Sequence, residues 1–325
     1  MQGIGSADSK TKVMKSNNAA VFFVDILGFS ALTKGEVTGL KTDDYKAWGL
    51  RKKDVKNHSF LAATILVEFR EALKTLKNYL PNLNIAQISD CAFIWSEDIT
   101  ELLRGVHFFM WHTIKERGIL CRGGIAYGEI VSVDNDDDEL GAFVVGDAVT
   151  RAAKNEGRLK GPRITMDVEF PQSVWDNAKN AVIQEYICAD LFYANHSEIN
   201  MDVVDEYRWY LCDAEFIADQ KYPPGYKECV ELTKGRLTVA NAIMYHPRMG
   251  WNTRSKDGMV HLKAGAKSIS KNGLLHILHL FERDQVLDNG RTMAILKRAN
   301  ERAMADQYFR TDDEEEWAKA LEDCD

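Results

Sequence analysis

The chain has 325 residues, 45% of them hydrophobic, with Lys plus Arg 41 against Asp plus Glu 49 and a formal net charge of −8. This is about two domains' worth of length with ample apolar material for a core, which excludes disorder as the main state. The acidic balance disfavours a broad nucleic-acid surface while leaving room for a local basic pocket, and no apolar run reaches the roughly 18 residues of a bilayer span.

Residues 1–18 read as a polar N-terminal tail, unlike a signal peptide. Ala19 to Phe29 is a nearly continuous apolar run rich in Val, Phe and Ile, predicting a strand buried on both faces, closed by Gly28 and interrupted by one charge, Asp25. Ser59 to Leu80 carries apolar residues at helical spacing up to Pro81, which predicts a helix. Asn84 to Ile88 and Cys91 to Trp95 flank Ser89-Asp90, a pair suited to a tight turn, so a hairpin with Asp90 at its tip is expected. A helix over Thr100 to Arg117, a strand over Leu120 to Tyr127, an acidic loop over Asp134 to Glu139, a strand over Ala142 to Val145 and a helix opening at Gly146-Asp147 complete the first half. Helices alternating with strands in this order predict an α+β domain, a largely antiparallel sheet covered by helices.

Residues 171–325 read as a packed C-terminal α+β extension, with strands over Ile187 to Tyr193 and Tyr207 to Cys212 and helices over Asn272 to Arg283 and Arg291 to Tyr308. Thr311 and Glu314 have the spacing of a capping box for a short terminal helix. The six scattered cysteines include no Cys-x-x-Cys, so neither a zinc site nor a disulfide framework is suggested, and a soluble, reducing, cytoplasmic setting is expected with no membrane partner. Asp134, Asp136 and Asp138 imitate a calcium loop, but Glu139 and Val145 stand where Gly and Glu are needed, and His276 and His279 lack a third ligand.

A carboxylate in a buried strand must be compensated, because an unpaired charge in low dielectric costs several kcal/mol, roughly, even after relaxation. If the strand bearing Asp25 lies beside the Asp90 hairpin, two carboxylates converge at one sheet edge, where they can hold hard divalent ions together with phosphate oxygens. Taken singly, Asp25 also reads as a turn cap and Asp90 as an ordinary turn residue.

Four segments carry a resemblance. Phe23-Val24-Asp25-Ile26-Leu27-Gly28-Phe29-Ser30 resembles the first metal-binding motif of the class III nucleotide cyclases, and Ser89-Asp90 resembles their Gly-Asp hairpin. Cys121-Arg122-Gly123-Gly124-Ile125 is similar to their Arg-x-Gly-Ile strand, and Val145 to Glu156 to their Gly-Asp-x-Val-Asn-x-Ala-x-Arg-x-Glu helix. The four occur in family order and cover Ala19 to Asp167, within a first domain of residues 19–170.

The resemblance implies a ferredoxin-like fold and a nucleoside triphosphate substrate. Asp25, the backbone carbonyl of Ile26 and Asp90 would hold two divalent cations, Mg²⁺ or Mn²⁺, while the 3′-oxygen attacks the α-phosphorus. Backbone amides of Leu27, Gly28, Phe29 and Ser30 would cradle the phosphates. Thr150 and Lys154 fall where the family has its ribose-orienting asparagine and its transition-state arginine, and the chain is expected to form a homodimer with two shared sites. The lysine and the acidic acceptor with which purine cyclases read the base are replaced here by Ala86 and Phe143. That weakens purine recognition and predicts a pyrimidine substrate, UTP favoured and CTP possible. In this the chain is most similar to the bacterial Pycsar pyrimidine cyclases, whose product signals in antiphage defence. The alternatives are a purine cyclase for ATP or GTP with altered base contacts, and a cyclase-like module that binds nucleotide or a partner without turnover.

Overall fold

A computed structural model of the chain describes residues 14–51, 53, 57–133, 142–167, 192–196, 203–207, 209–211, 239, 242–243 and 246–265. The expected acidic loop Asp134 to Glu139, the helices Asn272 to Arg283 and Arg291 to Tyr308, the capping box at Thr311, the pair His276 and His279, and most of the strand Ile187 to Tyr193 lie outside these residues.

Strand β1 (Met14–Ile26) is an interior strand of the sheet. Its alternate residues Ala20, Phe22, Val24 and Ile26 are buried in the main core, and Ala19 and Val21 are buried on the opposite face. Burial on both faces is what the uninterrupted apolar run required. The strand begins at Met14, earlier than the expected Ala19. It ends at Ile26 rather than Phe29, because Gly28 (φ +79°) turns the chain and Phe29 opens the short helix α1 (Phe29–Thr33). Helix α2 (Thr42–Ala47) follows.

Helix α3 (His58–Tyr79) buries Leu61, Ile65, Phe69, Leu73 and Leu76, one stripe at helical spacing, and the Asn57 side chain caps it by accepting from the amides of Ser59 (3.0 Å) and Phe60 (3.2 Å). Strands β2 (Asn84–Ile88) and β3 (Cys91–Ser96) form the expected hairpin. Helix α4 (Ile99–His112) is capped in the same way by Asp98 and meets α3 through an edge-to-face pair, Phe69 with Phe109, at 5.8 Å. Its expected final turn widens into a π-helical segment, Thr113–Arg117, closed by Gly118 at φ +66°.

Strand β4 (Cys121–Val133) pairs antiparallel with β1 along its whole length, and β3 pairs antiparallel with the other edge of β1. The resulting order β2-β3-β1-β4, with α3 and α4 as the two connections, is the ferredoxin-like arrangement. Strand β5 (Phe143–Val145) pairs with the far end of β4, and helix α5 (Asp147–Glu156) lies on the sheet face opposite α3 and α4. The sheet continues past residue 170. Strand β6 (Ile164–Met166) runs parallel to β4, followed by β8 (Val203–Tyr207) and β7 (Phe192–His196).

The expected strand Tyr207 to Cys212 is not formed. Tyr207 ends β8, and Trp209–Leu211 turn as a 3-10 helix. This places the Trp209 indole N–H on the Pro162 carbonyl at 2.9 Å and lets the Trp209 carbonyl accept from Trp111 at 3.1 Å. The segment Pro247–Arg254 and helix α6 (256–265) pack into the main core beside α1 and α2 through Met249, Trp251, Met259 and Leu262. Among the described residues no helix is long and apolar enough to cross a membrane.

Candidate active site

The register of β1 puts Asp25 opposite Cys91 on β3 and opposite Arg122 on β4, one residue before the strand ends. The Ile26 amide donates to the carbonyl of Asp90 at 3.2 Å, so the hairpin tip is tied to the residue after Asp25. The two carboxylates that are far apart in sequence therefore occupy one sheet edge. Ser89, beside Asp90, has φ +57° and is the single non-glycine residue with positive φ among the described residues.

Two further charges enter the cluster. Glu156, at the end of α5, is ion-paired with Arg122. Burial raises the Asp25 carboxyl to about 7, with Glu156 and Asp90 adding to the rise and Arg122 opposing it. Burial and the same carboxylates push the Cys91 thiol up to about 11, so it is inert as a nucleophile. Asp257, on the C-terminal α6, faces the same field. Its hydrogen-bonded His261 holds its carboxyl below the usual range, with Lys160 and Arg122 adding to the effect.

Two adjacent glycines let the sheet and α5 approach. A Cβ on Gly123 would stand 2.2 Å from the Phe22 ring on the core side. One on Gly124 would stand 2.1 Å from the Ala152 carbonyl and 2.6 Å from the Glu156 amide on the other. Arg151 binds Asp147, Asp167 and the Tyr127 carbonyl, and the buried Asn155 donates to the Ile125 carbonyl at 3.0 Å. Those contacts clamp α5 to β4, so Arg151 is a structural cation.

The turn after Asp25 differs in one respect from expectation. The Leu27 amide donates to the Leu120 carbonyl at 2.9 Å and is therefore committed to the sheet rather than to a phosphate. Gly28, Phe29 and Ser30 open α1, where the first amides have no intrahelical acceptor. Ile26 is buried at the strand end.

The remaining candidates are spread over β2, β5 and α5. Ala86 is half-buried opposite Phe93, which packs on Phe23 at 4.8 Å, and Phe143 on β5 is 45% exposed rather than core. Thr150 and Lys154 are exposed on α5, the Thr150 hydroxyl donating back to the Gly146 carbonyl at 3.2 Å. Sequence reasoning left Arg122 open between a phosphate and a salt bridge to Asp147 or Glu156, did not bring Glu156 to Asp25, and missed Trp251, Asn252 and Asp257 altogether. No local signal announces a contact across more than 200 residues.

Among the described residues no group of three or more His, Cys, Asp or Glu side chains is placed to hold a metal ion. Asp25 and Asp90 supply hard carboxylate oxygens that suit Mg²⁺ or Mn²⁺ with the rest of the shell from phosphate, carbonyl and water oxygens. The donor set fits such an ion.

No protein-family model matches the sequence, and no curated protein does. Among solved structures the chain is similar to a bacterial light-regulated adenylyl cyclase, at 14% identity and TM-score 0.42 over 64% of this chain and 58% of that one. It is also similar to the guanylyl cyclase domain of the RhoGC fusion protein from the aquatic fungus Blastocladiella emersonii, at 15% identity and TM-score 0.40 over 61% and 97%. A third is the adenylyl cyclase CyaB from P. aeruginosa, at 13% identity and TM-score 0.38 over 60% and 94%. Likenesses this distant do not bear on the chemistry of the chain's own residues.

Proposed function

We propose that the chain is a metal-dependent nucleotide cyclase, converting a pyrimidine nucleoside triphosphate, UTP in preference to CTP, into the 3′,5′-cyclic nucleotide and pyrophosphate. The observation that carries this reading is the juxtaposition of Asp25 with the Asp90 hairpin, tied by the Ile26 to Asp90 hydrogen bond. Asp25, Asp90 and the Ile26 carbonyl are the groups that would hold two divalent cations. Such ions acidify the 3′-hydroxyl and neutralise the triphosphate when bound.

The chain's own residues bind and orient. The amides of Gly28, Phe29 and Ser30 face the phosphates at the start of α1. The 3′-hydroxyl oxygen gives up its proton to water and forms a bond to the α-phosphorus as the bond to the bridging oxygen of the β-phosphate breaks, and that electron pair leaves with pyrophosphate. The Lys154 ammonium compensates charge on the five-coordinate phosphorus, and the Thr150 hydroxyl orients the ribose. Both are exposed on α5, so they serve the Asp25 of a second copy across a two-fold axis, each dimer holding two shared sites. The half-buried Phe23, Phe93 and Ala86, opposite one another across β1, β3 and β2, with exposed Ile88 beyond them, offer an apolar surface that such a dimer would cover. Ala86 and Phe143 offer no donor and acceptor pair to a purine edge, which favours the smaller base. By the resemblance already described, the product would act as a signal in antiphage defence.

The test is incubation of the purified protein with Mn²⁺ and each of the four ribonucleoside triphosphates. Cyclic UMP, with less cyclic CMP, is the expected product. A purine cyclic nucleotide as sole product overturns the base assignment. No product from any of the four, in a protein that binds Mn²⁺, overturns turnover in favour of a binding module. Mixing Asp25→Ala with Lys154→Ala chains should restore up to one good site per heterodimer, and no recovery in verified mixed dimers overturns the shared site.

A further inference from the structure

The turn that follows Asp25 is held by a residue far along the chain. Asn252, 225 residues downstream, donates its Nδ2 to the Leu27 carbonyl at 3.1 Å. It is 1% exposed, and its Oδ1 has no hydrogen-bond partner among the described residues. A buried acceptor left unpaired costs about 1–3 kcal/mol, so an asparagine is kept here at a cost that an apolar residue of the same size avoids. What it supplies is the donor to Leu27.

Its position is fixed independently of that bond. The Arg248 guanidinium lies over Trp48 at 5.0 Å and donates to the carbonyls of Ala47 (3.2 Å) and Arg117 (3.3 Å), while the Trp48 indole N–H donates to the Arg248 carbonyl at 2.9 Å. At the other end the Thr38 amide donates to the Arg254 carbonyl at 3.0 Å, and Arg254 lies 3.5 Å from Asp44. Asn252 is wedged between two glycines. A Cβ on Gly28 would stand 3.3 Å from its Nδ2, and one on Gly258 in α6 would stand 1.9 Å from its carbonyl oxygen.

The Leu27 carbonyl and the Gly28 amide belong to one planar trans peptide and point in opposite directions. A donor that fixes the carbonyl therefore also aims the amide, to the side away from Asn252. We propose that Asn252 is a positioning residue for the phosphate-binding turn: it sets the Leu27–Gly28 peptide plane, so that the Gly28 amide meets a triphosphate oxygen. This rests on the cyclase reading above, and it makes the C-terminal region part of the site rather than an appendage.

The experiment compares the full-length wild type with Asn252→Leu and Asn252→Asp. Asn252→Leu removes the donor and the unpaired oxygen together, and its melting temperature should equal or exceed that of the wild type. Amide hydrogen exchange of the peptide spanning residues 27–33, measured without nucleotide, should rise at least tenfold in the variant while peptides of α3 and α4 stay unchanged. In turnover, KM for the triphosphate should rise at least fivefold with a smaller change in kcat. Asn252→Asp, which turns an acceptor toward the Leu27 carbonyl, should show the same pattern or a stronger one. Unchanged exchange in folded Asn252→Leu overturns the positioning role whether or not the protein is a cyclase. Increased exchange with unchanged KM overturns the link to phosphate binding. A wild type that makes no cyclic nucleotide overturns the cyclase reading while the exchange result still decides whether Asn252 holds the turn.

Discussion

The amide of Ile26 donates to the carbonyl of Asp90 at 3.2 Å, joining the end of the central strand to the tip of a hairpin 64 positions later in the chain. That bond sets the spacing of the two carboxylates from the main chain, so the charge cluster is built into the sheet rather than assembled from mobile side chains.

The first consequence concerns pH. Burial raises the Asp25 carboxyl of the folded protein from the ordinary 3.8 to about 7, so the folded state keeps a proton that the unfolded chain releases. Stability in chelator is therefore highest below about pH 4 as far as this group is concerned, and is lost as pH rises through 7. Asp25→Asn should flatten that loss and melt higher than the wild type at pH 8.5. Thermal melts at pH 5.5 and 8.5 in chelator decide it, and parallel curves for the two proteins would contradict the assignment.

A divalent cation should raise the melting temperature, because a ligand bound only to the folded state stabilises it by mass action. The increase should be larger at pH 8 than at pH 6, since the cation competes with the Asp25 proton. Asp25→Asn and Asp90→Asn should each lose most of the Mn²⁺-dependent increase and most turnover, as read by scanning calorimetry and product assay.

Replacing Arg122 removes the one charge that lowers the Asp25 carboxyl and leaves Glu156 without its partner. Arg122→Met should destabilise by about 3–5 kcal/mol, the usual cost of breaking a buried pair, discounted toward 2 kcal/mol because these side chains are partly solvated. The alkaline shift of the pH–rate profile is the more specific signature, and a profile that stays in place would count against the electrostatic link.

Gly124 and Gly157 should respond oppositely to the same substitution. Gly124→Ala drives a methyl into the backbone of α5 and should cost about 2–3 kcal/mol or shift the helix. Gly157 has φ −79° and nothing near its Cβ position, so Gly157→Ala should stay within about 0.5 kcal/mol of the wild type or gain slightly. Chemical denaturation of both variants tests the contrast.

Ser89 occupies the left-handed region at the hairpin tip, a conformation costing an L-residue roughly 1–2 kcal/mol. Ser89→Gly should stabilise by up to about 1 kcal/mol, part of the relief being offset by glycine's greater unfolded-state entropy. A loss of stability in urea denaturation would show that the Ser89 side chain contributes more than its strain.

Much of the fold was legible because its signals are local. The apolar run around Asp25 marked a strand buried on both faces. Helical spacing up to Pro81 marked the helix after Ser59, and Ser89-Asp90 marked a tight turn. Periodicity and capping depend on neighbours within a few residues, and the chain carries them openly. The strand expected at Tyr207 to Cys212 went the other way, since aromatic residues favour strands only until tertiary partners such as Pro162 and Trp111 hold their indoles elsewhere.

The sequence by itself determined the kinds of group available: two aspartates on short strand-like runs, an Arg-Gly-Gly strand, and a helix with a small-residue face. Only the tertiary structure decided that Glu156 reaches Asp25, that the Leu27 amide is spent on Leu120, and that Asn252 grips the turn from 225 residues away. Those contacts are set by strand register, by helix approach over a bare glycine and by the packing of Trp251 into the core. Each is a non-local outcome of chain topology, and residue spacing along the chain does not encode it.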